Sequence, residues 1–156
     1  MNKEIQSIVN NLRNVNSGEP WFCRPVYAIL DEVNPGKVFV KPGNSGHSLA
    51  ELMFHMLTWA EFTLKRMEGD KEQDLAWSEK MDWREIDPTV HSWEKGLAAF
   101  KQMQEKIIEL LQTKDDTFLS ETVDYRNYNF RFLLNGLNQH NIYHLGQIAY
   151  LKKFLS

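Results

Sequence analysis

All five prolines, at 20, 25, 35, 42 and 88, lie in the first 88 positions of a 156-residue chain. Proline lacks the backbone donor a helix interior needs and clashes with the preceding turn, so everything after Pro88 is free to form long helices. The apolar pattern agrees. A last helix is expected over about residues 128–154, where Leu133, Leu137, His140, His144, Ile148, Leu151 and Leu155 step by four or three, as the seam of a bundle helix does. Another is expected from Pro88 to about Gln112, with Trp93, Leu97, Phe100, Ile107, Leu110 and Leu111 on one side and Thr113-Lys114-Asp115-Asp116 closing it.

The proline-bearing half is more broken. Ile5, Ile8, Val9 and Leu12 recur at helical spacing over residues 2–15 before Asn16-Ser17-Gly18 stops them. Pro20, a favoured first-turn residue, opens a second segment to about Val33, with Trp21, Phe22, Val26, Ile29 and Leu30 facing inward. The two segments read as one broken first helix. The loop 34–45 follows; within it Lys37-Val38-Phe39-Val40 reads as an extended connector between Pro35 and Pro42. Ser48-Leu49-Ala50-Glu51 has the form of a capping box for a helix over about 47–68, ended by Gly69 and Asp70. Residues 70–87 are polar but carry Trp77, Met81 and Trp83, which points to a long ordered crossover before the third bundle helix. No segment alternates strictly enough to form a strand, and no repeat is present. The expectation is an all-α four-helix bundle, a single domain over residues 1–156.

Charged residues make up 25% of the chain and the formal net charge is -3, without the basic field that holds a phosphate backbone. A nucleic-acid partner is therefore not expected. Met1-Asn2-Lys3-Glu4-Ile5-Gln6 lacks the basic-then-apolar pattern of a signal peptide, and no run approaches the roughly 20 apolar residues of a membrane span, so a cytoplasmic protein without membrane contact is expected. Cys23 is the single cysteine. An internal disulfide and a thiolate metal cluster within one chain are thereby ruled out, and any metal must be held by nitrogen and oxygen.

His140 and His144 are consecutive members of the last helix's apolar stripe, and their i, i+4 spacing puts both imidazoles on one face. Such a pair serves equally as a hydrogen-bonded structural feature or as two ligands. No glutamate follows the first histidine, so the zincin pattern of metalloproteases is absent. His55, between Leu52 and Trp59 on one helical face, also points inward and can supply a third nitrogen. The alternative trio of His47, Glu51 and His55 is disfavoured because His47 sits at the helix start and Glu51 has the capping role. His91 reads as a solvated residue near the start of the third helix. Three imidazoles leave a divalent ion an open position, the arrangement of a catalytic site, at which the pKa of a coordinated water or thiol falls. Imidazole suits zinc, nickel, copper and iron alike.

The run His140-Asn141-Ile142-Tyr143-His144-Leu145-Gly146-Gln147-Ile148 resembles the His-xxx-His-x-Gly-Gln-Ile signature of the DinB-like superfamily, which includes the YfiT-like proteins. His47-Ser48-Leu49-Ala50-Glu51-Leu52-Met53-Phe54-His55, followed by Trp59, resembles that family's other segment. The likeness extends to Pro20-Trp21 and the broken first helix, and so covers nearly the whole chain. It implies a four-helix bundle with a long crossover and a metal triad at His55, His140 and His144, with zinc or nickel foremost and iron, manganese or copper also accommodated. Members of the family include thiol-dependent transferases and isomerases that use bacillithiol, mycothiol or glutathione-like cosubstrates.

The expected function is thus metal-dependent transfer involving a low-molecular-weight thiol and a small-molecule substrate, with metal-dependent hydrolysis as its near relative. Arg24, Arg126 and Arg131 are candidates to meet a carboxylate-bearing thiol. The sequence shows no inward carboxylate near the triad, which favours thiol chemistry over a hydrolysis that needs a general base. The rival is a non-catalytic, stress-related module that binds a small molecule or dimerises. A homodimer is expected from the resemblance and from the aromatic and Met content of the crossover. Gly146 reads as a site of close helix packing, and Gln147 as a partner of either a ligand histidine or the core. Trp21, Trp59, Trp93 and Tyr143 belong to a pocket or to the core. Cys23 reads as a small buried apolar residue rather than a nucleophile.

Overall fold

The computed structural model describes residues 2–43 and 45–156; Met1, and Asn44 of the expected 34–45 loop, lie outside the described residues. Among the described residues six helices follow one another: α1 (Lys3–Ser17), α2 (Val26–Asp31), α3 (Leu49–Glu68), α4 (Leu75–Asp82), α5 (Trp93–Gln112) and α6 (Phe130–Leu155), with short 3-10 turns at Pro35–Lys37 and Asp116–Ser120. Among the described residues, β-type pairing is limited to one isolated bridge between Thr122 and Asn129.

The long helices α1, α3, α5 and α6 make the bundle. α3 packs on both α5 and α6, and α1 packs on the same two from the other side, so the order around the bundle is α1, α5, α3, α6. Helices consecutive in the bundle sequence, α1 and α3, are therefore diagonal, which the segment through α2 permits by crossing from α1 onto α6. The core between them is mainly apolar, with Leu12, Leu30, Met53, Met56, Phe62, Phe100, Ile107 and Leu134 fully buried, though it also buries Asn16, Gln104 and Asn141. Gly96 lets α5 approach α3 closely, since a Cβ there would stand 3.1 Å from the Met53 and Phe54 side chains. No helix among the described residues is long and apolar enough to cross a membrane.

α3 begins where the capping box places it. Ser48 Oγ accepts from the Glu51 backbone N–H at 3.1 Å, and Glu51 Oε2 accepts from the Ser48 N–H at 2.7 Å. Gly69, at φ 73, ends the helix in the left-handed conformation that glycine adopts without strain. Ser48→Ala removes one of these bonds and frees the other, and is expected to lower stability by about 1 kcal/mol, read from the urea midpoint.

Three boundaries differ from the sequence expectation. The second segment starts at Val26 rather than at Pro20, because Pro25 forces the residue before it out of the helical region and itself becomes the extended N-cap. Trp21 and Phe22 are consequently exposed instead of inward, Trp21 fully so. Val38 is not extended: Asn34 Oδ1 accepts from the Gly36 N–H at 2.9 Å and winds Pro35–Lys37 into a 3-10 turn, leaving Val38 helical in dihedral angle and buried. The third bundle helix starts at Trp93 rather than Pro88, because Ser92 caps it by accepting from the Lys95 N–H, while Asp87 holds Thr89 in a separate turn. The crossover is ordered, as its tryptophans indicate, and contains α4, N-capped by Asp74.

Candidate metal centre

α3 and α6 run antiparallel, so that Leu52 lies near Leu151 and Thr63 near Leu133 and Leu137. This register sets His55, in the middle of α3, opposite His140 and His144, one turn apart on α6. His55 Nε2 is 3.0 Å from His144 Nε2 and 2.9 Å from His140 Nε2, and one nitrogen from each ring lies within 4.8 Å of the others. His55 and His144 are each only 6% exposed. These three histidines could hold a metal ion.

The outer ring nitrogens decide which tautomers face one another. His144 Nδ1 is 2.6 Å from Gln147 Oε1, an acceptor, so Nδ1 carries the proton and Nε2 presents a lone pair. Asp82 Oδ1 stands 2.7 Å from His55 Nδ1, a charge contact set off the straight hydrogen-bond line, and places the proton of that ring on Nδ1 as well. The 3.0 Å contact between His55 and His144 thus joins two lone pairs, a repulsive arrangement unless a cation lies between them. His140, whose Nδ1 has no partner, can satisfy only the other contact by donating from Nε2 to His55. Nitrogens around a tetrahedral ion with bonds of 2.0–2.1 Å stand about 3.3 Å apart. The two contacts of His55 therefore fit such an ion with a spreading of a few tenths of an ångström.

All three imidazoles are held below the usual histidine range. Burial is the main cause for His140, with His144 and His55 adding like-charge repulsion, and brings it to about 3. Burial also lowers His55, against the pull of Asp82, and lowers His144, against its bond to Gln147. The rings are neutral ligands at pH 7 without outside help. In the ion-free protein the sign follows: the unfolded chain takes up these protons near pH 6.5, the folded chain refuses them, and stability falls as pH drops from about 6.5 toward 3. His140 alone is expected to remove about 2 kcal/mol by pH 5, measurable as a lower urea midpoint than at pH 7 and absent from His140→Phe.

Two site residues come from the crossover and have no motif in the sequence. Asp82 ends α4, and its Oδ1 accepts from Trp59 Nε1 at 2.7 Å besides meeting His55. The expectation that no carboxylate lies near the triad is therefore overturned. Trp83, the next residue, inserts its indole between two imidazoles, with ring centroids 3.8 Å from His55 and 3.8 Å from His47, both nearly parallel. The segment is pinned where it meets α3: the buried Thr58 Oγ1 donates to the Met81 carbonyl at 3.0 Å, and Arg84 Nε donates to the same oxygen at 3.2 Å.

The other candidates fall outside the cluster. His47 is separated from His55 by Trp83, and Glu51 is occupied by the helix cap and by Lys41 at 2.8 Å, so that alternative trio does not assemble. His91 is half-buried rather than solvated; its Nδ1 accepts from the Asp87 N–H and its ring meets Phe54 edge-on. Cys23 is exposed, contrary to the buried role expected of it, in the connection between α1 and α2. A Cβ added at Gly146 would meet nothing within 4 Å among the described residues, so close helix packing within the bundle does not explain it. Trp93 is core, Tyr143 is exposed with its edge on the His144 ring, and Trp59 lines a cavity of about 160 Å³ beside His140. Arg24 and Arg131 are committed to Glu32 and Glu4; Arg126 alone of the expected arginines lies near this cavity, over the Trp59 ring.

Fold and site together define a helical bundle with a histidine triad facing inward between two antiparallel helices. A model of the DinB superfamily matches residues 25–148, and the chain belongs to that superfamily. No curated protein sequence matches the chain significantly.

Proposed function

We propose that Nε2 of His55, His140 and His144 binds one divalent transition-metal ion, zinc or nickel foremost, and that the chain is a metal-dependent transferase acting with a low-molecular-weight thiol. The observation that carries the metal is the pair of lone pairs facing each other across 3.0 Å between His55 and His144. Bound there, an ion with an open position supplies Lewis-acid chemistry and lowers the pKa of a thiol or water that coordinates it. The surrounding residues orient the ligands. Gln147 and Asp82 fix the tautomers of two rings, and Trp83 covers one face of His55.

Hydrolysis is the less favoured chemistry because the carboxylate at the site is already engaged. Asp82 meets both His55 and Trp59, which leaves it poorly placed to take a proton from water. The test is a conjugation assay of metal-loaded protein with a panel of low-molecular-weight thiols and a reactive electrophile such as monobromobimane. Turnover above the uncatalysed rate in wild type and its loss in folded His140→Ala supports transfer. Turnover of ester substrates without any thiol would replace it with hydrolysis.

A non-catalytic binding or dimerisation module is the second reading, and one surface favours it. Phe132, Tyr143, Tyr150 and Phe154 are exposed along α6, and Gly136 and Gly146 on the same helix have open space above them. We propose that a homodimer forms over this face, in keeping with the contact role small residues have between helices. We further propose that residues 1–156 form one domain, since α1, outside the matched segment, packs on α5 and α6. The cytoplasm is the proposed compartment, where the exposed Cys23 thiol stays reduced.

A further inference from the structure

The cavity of about 160 Å³ beside His140 lies in the seam between α3 and α6. On α3 its wall continues the line of His55 one turn at a time, through Trp59 to Thr63; on α6 it runs back from His140 through Gly136 to Phe132. It reaches from the surface into the core, since Phe132 is exposed while Thr63 and Leu137 are buried. Aromatic rings bound it at both ends. At the triad end the Trp59 and His140 centroids are 6.4 Å apart, and at the other end those of Tyr128 and Phe132 are 5.0 Å apart.

Gly136 is what leaves the space open. A Cβ built on it would meet nothing within 4 Å among the described residues, although it lies in the interior of a 26-residue helix, where glycine is less favourable than any residue but proline. Packing within the chain therefore does not call for a glycine here, and a larger residue would take up part of the cavity. The wall also states what it can accept. No Asp, Glu, Lys or Arg lines it. Thr63 Oγ1 donates to the Trp59 carbonyl at 2.8 Å, Trp59 Nε1 donates to Asp82, and His140 has Nε2 on His55 and Nδ1 buried. The Tyr128 hydroxyl is the one remaining polar side-chain group of the wall. A charged ligand would lose its water here and gain no counter-charge.

We propose that this cavity is a binding site for a neutral apolar group about one aromatic ring in size. The volume matches the ~150 Å³ apolar cavity that holds a benzene-sized molecule, and the rings at its two ends offer edges and faces to an aromatic occupant. In the transfer reaction proposed above, the occupant is the apolar body of the electrophile, seated against a histidine of the triad. That role rests on the metal reading; the binding itself does not.

The test titrates the full chain with toluene and, in parallel, with benzoate, following the Trp59 indole N–H resonance, assigned by its loss in Trp59→Phe. Toluene should saturate with a dissociation constant of about 1 mM or lower, and benzoate should bind at least roughly tenfold more weakly. Gly136→Leu should weaken toluene binding roughly tenfold or more; Gly136→Ala, expected to weaken it less, takes its place should Gly136→Leu lose its helical circular dichroism. Toluene binding should survive treatment with a chelator, and metal content is measured on the same samples, so that this proposal and the metal reading fail separately. No saturable shift up to the solubility of toluene, benzoate bound as tightly as toluene, or undiminished affinity in the folded Gly136 variant would each overturn the proposal. Loss of binding on chelation would also overturn it, by assigning the probe to the metal centre. A Gly136→Leu protein that passes from dimer to monomer in sedimentation while its toluene affinity stays unchanged would assign the open space to a second copy of the chain instead.

Discussion

Wild-type protein purified without a nickel column is expected to carry about one transition-metal ion per chain, and each of His55→Ala, His140→Ala and His144→Ala is expected to lose it on dialysis. The size of the effect follows from the donor count. Zinc held by four protein ligands gains roughly 10–16 kcal/mol in apparent terms, or about 3 kcal/mol per ligand, so losing one costs a hundredfold or more in affinity. The three variants should not be equal in stability. His55→Ala leaves Asp82 beside a vacated partly buried position and strands its charge contact, whereas His140→Ala removes a ring whose Nδ1 has no partner to strand. Elemental analysis gives the stoichiometry, and competition with a chelator gives the affinity. Wild type that neither retains an ion nor takes one up on titration would sink the metal reading, and the histidines would then be polar core residues whose 3.0 Å contact is bridged by a proton.

The bundle was legible because its long helices carry strong periodic stripes. α6 shows Leu133, Leu137, His144, Ile148 and Leu151 buried in the spacing read from the chain, and the Ser48–Glu51 box starts α3 as its composition indicates. Helix starts marked by proline were less legible, because proline is compatible with a first turn without requiring one. At 20 and 25 two such signals compete, and the second prevails by excluding Arg24 from a helix; at 88 a serine four residues on provides the cap.

The triad was legible for the same reason as the bundle: all three rings lie on the inward stripes of amphipathic helices. Gln147 carried two readings, as a partner of a cluster histidine or of the core; its 2.6 Å contact to His144 Nδ1 ties it to the histidine cluster. Asp82 and Trp83 were beyond reach. They sit at the end of α4, whose eight residues bury little beyond Ser78 and carry no stripe to orient them. What aims them is tertiary: Thr58 and Arg84 bind the Met81 carbonyl, and that anchor turns the next two side chains toward His55.

Asp82→Ala is expected to lower metal affinity by roughly ten- to a hundredfold without unfolding the bundle, the range seen when a partner of a ligand histidine is removed. Two effects act in the same direction. The carboxylate keeps the His55 proton on Nδ1, so its loss lets the ring place that proton on Nε2, where it blocks the metal and instead satisfies His144. The same oxygen ties Trp59 Nε1 to the end of α4, so its loss also loosens the placement of Trp83 against His55. Asp82→Asn separates the two. Its amide oxygen can still accept from Trp59 Nε1 but brings no charge to His55, so an affinity between those of wild type and Asp82→Ala marks the charge as part of the effect. Gln147→Ala provides the scale, because it removes a neutral acceptor from His144 at an exposed position and should cost less. Affinities of Asp82→Ala and wild type that agree within error would show that the backbone of α3, rather than the crossover, orients His55. A deficit confined to Asp82→Ala and Asp82→Asn instead makes the crossover a working part of the centre, so that binding an ion stabilises residues 75–83 against local opening, measurable as slower amide exchange there in the loaded protein.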